Sequence, residues 1–180
     1  MYKINSLIKR NTIFKSLLII YFLAALFFLF LLVNLAHYGF DFTDEGYYLN
    51  TIEGGLQRQI TYFGELIRPI YLLLNENLIR LRQINILFAF LLGYYALKIT
   101  FENFSLINYF KQKDNLTINL IIFLLSCVSL HELTELTILT PSYNNLCFYG
   151  LNLIYISIIF LFKKNNKYFY SFFLTLGIVF

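Results

Sequence analysis

Apolar runs long enough to cross a bilayer alternate along this chain with short polar stretches, and that alternation carries the first-order information. From Ser16 to Ala36 the sequence SLLIIYFLAALFFLFLLVNLA holds no charge over 21 residues. At about 1.5 Å of rise per helical residue this run matches a hydrocarbon core of ~30 Å. Further apolar runs at 84–99, 116–130 and 146–162 predict three more spanning helices. The first two of these are short and need flanking residues or an adjusted tilt to cross. A fifth run, 168–180, is read as an incomplete helix, as in a truncated chain. Between the first two spans lies His37 to Gln83, which is too polar to cross. Its later part sets Ile70, Leu73, Leu74, Leu78 and Leu81 among polar residues at helical spacing. That pattern predicts an amphipathic helix at the membrane surface, with Pro69 near its first turn. The expected fold is all-α: a polytopic membrane helical bundle with surface helices in its first external loop.

Charge orients this bundle. All nine lysines fall in three places: the tail 1–15 (Lys3, Lys9, Lys15), the second connection (Lys98, Lys111, Lys113) and the last (Lys163, Lys164, Lys167). The excess of positive charge on cytoplasmic segments then makes 1–15 a cytoplasmic basic tail and leaves 37–83 and 131–145 as external loops. Eight of the ten acidic residues lie in those two loops, as do four of the five arginines, so the asymmetry belongs to lysine alone. A cleaved signal peptide is the rival for the N-terminus. The first apolar run is longer than a typical signal core and ends VNLAHYG without a clear A-x-A site, which favours an uncleaved anchor. This topology suits a bacterial inner membrane or a eukaryotic secretory membrane equally.

Composition agrees: 59% hydrophobic residues, 13% charged residues and a mean hydropathy of +0.66 leave too few charges for a water-facing shell. The net charge of +4 does not point to nucleic acid, because the basic residues neither line one face nor interleave with aromatics in a polar segment. Cys127 and Cys147 lack paired metal-site spacing and are expected to pack in the core, with a disulfide between them left open. Neither a Walker nor a Rossmann glycine pattern occurs, which argues against nucleotide-driven chemistry. Asn103-Phe104-Ser105 and Asn115-Leu116-Thr117 fit the glycosylation pattern but fall in a cytoplasmic connection, where they would not be modified.

The candidate chemistry follows the first span. Asp41, Asp44 and Glu45 stand within the stretch Asp41-Phe42-Thr43-Asp44-Glu45-Gly46-Tyr47-Tyr48, at the depth of lipid headgroups. A carboxylate there can act as general base toward an acceptor hydroxyl, and apolar neighbours such as Phe42 can raise its pKa toward a useful value. On spacing alone, a solvated acidic loop that merely sets topology is the more natural reading. DEGYYL after a first membrane helix resembles the first external loop of GT-C fold glycosyltransferases, especially the protein O-mannosyltransferase and aminoarabinose transferase-like group. The order of features continues through Phe63-Gly64, Arg68-Pro69-Ile70-Tyr71 and Ile79-Arg80-Leu81-Arg82, so the resemblance covers about 41–99. It implies a polyprenyl-phosphate-linked sugar as donor and a lipid, glycan or protein as acceptor at the external face. Asp44 would be the catalytic carboxylate, with Glu45 supporting it or binding acceptor. Arg58, Arg68, Arg80 and Arg82 are candidates for the donor phosphate, since guanidinium pairs with phosphate oxygens at two points. Snorkelling at the interface explains any single one of them as well. Tyr47 joins these substrate-binding candidates. Related enzymes differ in requiring a divalent cation, so the cofactor stays open.

The second external loop, HELTELTILTPSYNNL, offers His131, Glu132 and Glu135. It holds half of a zinc-protease pattern, but glutamate stands where the second histidine belongs. TPSYNNL is similar to the Tyr-Asn loop entering a later helix in some of these transferases, which makes Tyr143 a further candidate. Turn formation by Pro141, Asn144 and Asn145 accounts for it too. The alternative to an enzyme is a non-catalytic membrane subunit or part of a transporter; the latter would favour charges at midplane over carboxylates at the boundary.

Overall fold

The computed structural model describes the backbone of residues 2–38, 44–54, 62–103, 115–136, 139–162 and 167–179. Among them it forms seven helices and no strand: α1 (Tyr2–Leu35), α2 (Asp44–Glu53), α3 (Phe63–Leu73), α4 (Leu78–Asn103), α5 (Asn115–Leu136), α6 (Tyr143–Phe162) and α7 (Lys167–Val179). Four stretches are long and apolar enough to cross a membrane: Thr12–Leu35, Leu78–Asn103, Leu116–Leu133 and Tyr143–Leu161. The all-helical, multi-span reading therefore holds.

Lengths differ from expectation in an informative way. The run expected at 84–99 is a helix of 26 residues, about 39 Å long, so it spans without any adjustment. Its extra turns come from polar ends that hydropathy ignores. Asn77 caps the start, its Oδ1 accepting from the Arg80 N–H at 3.0 Å, which satisfies one of the unpaired donors of a first turn. Leu78 and Leu81 thus belong to this span and not to a surface helix.

The surface helix itself is corrected. α3 begins at Phe63 and carries Pro69 inside it. Phe63, Ile67 and Tyr71, spaced four apart, turn inward and are buried, while Pro69 lies on the exposed side. The helix closes in a Schellman arrangement, Glu76 N–H to the Tyr71 carbonyl at 3.0 Å and Asn75 N–H to the Leu72 carbonyl at 3.0 Å. Asn75 and Glu76 take left-handed φ values of 56° and 55° to make that turn.

α4 is the hub, packed against α1, α3, α5 and α6. It runs in the same direction as α6, and two hydrogen-bonded stations join them. Near one end Asn85 donates to the Leu139 carbonyl at 3.0 Å and accepts from the Tyr149 hydroxyl. Toward the other end the Thr100 and Tyr155 hydroxyls meet at 2.7 Å. α1 leans on α5 through Phe22, whose ring stands 4.8 Å from Phe123, and Phe90 of α4 packs on the same ring at 5.2 Å. Only 6% of its most apolar stretch is buried, against 44% for α4, so α1 turns most of its surface toward lipid. α6 and α7 pack as an antiparallel pair and come close at Gly177, where a Cβ would fall 2.9 Å from the Gly150 carbonyl oxygen. Both cysteines are free, Cys127 buried and Cys147 exposed, which closes the disulfide question.

α2 and α3 pack against each other beside the bundle, touching backbone to backbone at Gly64. A Cβ there would sit 2.3 Å from the Thr51 carbonyl oxygen. Because that neighbour is main chain it cannot swing aside, and Gly64→Ala should destabilise the protein by about 1–3 kcal/mol, read from its unfolding midpoint in detergent. An unchanged midpoint would mean that the two helices do not touch there.

Candidate functional site

The loops 37–83 and 131–145 meet at one end of the bundle around a buried ion pair. Glu45, second residue of α2, is 2% exposed and Arg82, in the second turn of α4, is 3% exposed. The guanidinium grips the carboxylate at two points, Nε to Oε1 at 2.8 Å and Nη2 to Oε2 at 2.5 Å. Nε also reaches Thr140 Oγ1 at 3.1 Å, and the Thr140 hydroxyl donates to Glu45 Oε1. Nη1 donates to the Ala36 carbonyl at 2.8 Å. One arginine therefore joins four segments: the end of α1, the start of α2, α4 and the strap before α6.

Local helix geometry favours each charge where it sits. Glu45 lies in the first turn of α2, where unpaired N–H groups give a positive end, and Arg82 meets the carbonyl end of α1. Two bonded contacts and the helix ends offset the heavy desolvation of both ions. The strap is equally fixed. Ser142 caps α6 in a reciprocal box, its N–H and hydroxyl donating to Asn145 Oδ1 at 3.0 and 2.7 Å while its Oγ accepts from the Asn145 N–H at 3.4 Å.

The candidate residues distribute as follows. Asp44 opens α2, so its backbone is set by the neighbouring clamp; its side chain lies outside the described residues, as does Arg58. Glu45 and Arg82, candidates for different roles, are bonded to each other. Arg68 and Arg80 are exposed. Arg68 lies against Gly54, which ends α2 with φ +81°, so its cation sits by that helix's carbonyl end. Tyr47 and Tyr143 are exposed and each packs on the buried Tyr48, with ring centroids 5.6 and 5.9 Å from it. His131 and Glu132 are exposed at the end of α5, and the Glu135 side chain lies outside the described residues. Among the described residues no three His, Cys, Asp or Glu groups gather as a metal site.

Sequence reasoning missed Thr140, the Ala36 carbonyl and the Ser142–Asn145 box. The spacing S-x-x-N carried a signal for the last of these, as a capping box with asparagine in the usual glutamate place. Nothing local announced the first two, because their partner sits 58 and 46 residues away.

A second polar group sits under α3. Tyr71 is buried and donates to Glu53, with Glu76 also near; burial first, then the two carboxylates, raise its pKa above the usual phenol value. A folded pKa above the unfolded one stabilises fully below the unfolded value and fades as pH climbs through the folded one. The α2–α3 contact should accordingly hold to about pH 10 and weaken above it. Tyr71→Phe should reduce that alkaline limb in unfolding midpoints measured against pH by helical circular dichroism; an unchanged limb would assign it elsewhere.

These features define a class: a polytopic helical protein with four potential membrane spans and, at one end, a polar layer locked by a buried carboxylate–guanidinium pair. No known protein family, no curated protein and no solved structure matches the chain.

Proposed function

We propose that the protein is a membrane glycosyltransferase of GT-C type, moving a sugar from a polyprenyl-phosphate-linked donor to a lipid, glycan or protein acceptor. The lysine distribution supports an N-terminus in the cytoplasm, with the α2–α3 layer on the opposite face. The observation that carries the reading is the Glu45–Arg82 clamp. An acidic loop that only sets topology needs no buried ion pair, whereas a reacting carboxylate needs a backbone held still to within a fraction of an ångström. The clamp supplies that at the residue next to Asp44.

In this mechanism Asp44 takes the proton from an acceptor hydroxyl as its oxygen attacks the sugar's anomeric carbon, and the lipid phosphate departs. Glu45 and Arg82 neutralise one another and act as a positioning pair. Arg58, Arg68 and Arg80 then remain as candidates for the departing phosphate. Membranes from cells producing the protein, given a polyprenyl-phosphate-linked radiolabelled hexose or pentose, should move label out of the donor lipid faster than control membranes. Donor that stays intact with both sugar classes sinks the transferase reading and returns the protein to a non-catalytic membrane role.

A further inference from the structure

The clamp has a geometric by-product. Thr140 bonds to Glu45, and from that bond the two chains lead away in parallel steps: Tyr47 and Tyr48 come two and three residues after Glu45, and Tyr143 three after Thr140. Tyr48 consequently meets both of the other rings, although 95 residues separate it from Tyr143. Tyr48 is the buried middle member, held edge-on by Phe63 with centroids 5.2 Å apart and planes at 66°. Tyr47 and Tyr143, each in ring contact with it, remain 46% and 54% exposed.

We propose that Tyr47 and Tyr143 form a stacking platform for the ring of a sugar, the binding subsite of either the donor's sugar or the acceptor's. The choice of sugar as ligand rests on the transferase reading; the platform itself rests on the geometry. A sugar ring presents C–H groups on its faces and hydroxyls around its rim. It is suited to an aromatic face for the first and to a phenol oxygen for the second, and exposed tyrosines offer both. Tyrosines that merely mark a membrane interface need no fixed mutual geometry. These stand on two supports that are each locked by buried hydrogen bonds, α2 by Arg82 and the start of α6 by the Ser142–Asn145 box. Such preorganisation reduces the ordering cost of binding. The platform also lies at the right place, because Tyr47 and Tyr48 follow Asp44 by three and four residues on α2, one helical turn along the same face.

The test uses the full chain in lipid nanodiscs and saturation-transfer NMR with methyl glycosides of glucose, mannose, galactose and xylose. At least one glycoside should receive saturation at its ring C–H protons. The double change Tyr47→Ala with Tyr143→Ala should weaken that binding about tenfold, as expected for losing an aromatic stacking contact. Tyr47→Phe with Tyr143→Phe should retain most of it, and Tyr62→Ala, at a position 85% exposed on the far side of Phe63 in sequence, should leave it unchanged. Wild-type protein that binds none of the four glycosides, or binding indifferent to the alanine pair, overturns the platform. The readout is binding alone. A wild type that holds a glycoside but moves no sugar defeats the transferase reading and leaves the platform standing; one that transfers sugar yet ignores the loss of both rings defeats only the platform.

Discussion

Arg82→Ala should lower the stability of the folded protein by about 3–5 kcal/mol, the cost of leaving the buried Glu45 carboxylate without its cation. Glu45 is 2% exposed and bonded to Thr140, so water does not replace the lost cation where the carboxylate sits. Thr140 and the Ala36 carbonyl lose a partner in the same step, so the strap before α6 and the end of α1 loosen together. Glu45→Gln should cost less than Arg82→Ala, because the amide keeps one acceptor for the guanidinium. The decisive comparison is the pair Glu45→Leu with Arg82→Met, which removes both charges and both desolvation costs. It should recover most of the loss. Unfolding in detergent, followed by helical circular dichroism, measures all three. Equal stability of Arg82→Ala and wild type would mean that the ion pair is not formed in the membrane.

Asp44→Asn should reduce sugar transfer by about 10²–10⁴-fold, the usual share of a positioned general base. Asparagine has nearly the same shape and cannot take the proton. Stability and membrane insertion should stay unchanged, because the Glu45–Arg82 bonds that hold the start of α2 remain in place. This split separates the catalytic reading from a structural one: an Asp44 that served packing would lose melting temperature along with activity. Retention of full transfer by Asp44→Asn would remove Asp44 from the mechanism.

How much of this was legible in the sequence depends on the range of the interaction concerned. The spans were legible, because a run such as 16–36 is apolar whatever surrounds it. Their ends were not, because Asn77 caps α4 and the Ser142–Asn145 box caps α6 through side-chain hydrogen bonds that hydropathy does not register. Pro69 misled for a related reason. Proline is most often tolerated in a first turn, but here Phe63 and Gly64 secure the helix two turns earlier by docking on α2, and that contact outweighs the missing N–H. Within the site, Asp44, Glu45 and the arginines were visible as residue types at the right depth. That Glu45 and Arg82 satisfy each other was not visible, since no periodicity links positions 37 residues apart.

The two stations between α4 and α6 set a limit on how this molecule can move. With Asn85 tied to Tyr149 and Thr100 to Tyr155, sliding one helix past the other by a single turn, about 5.4 Å, would break both stations at once. The pair behaves as one beam with a fixed register. Any movement of α2 relative to that beam must then break the Glu45–Arg82 bonds as well.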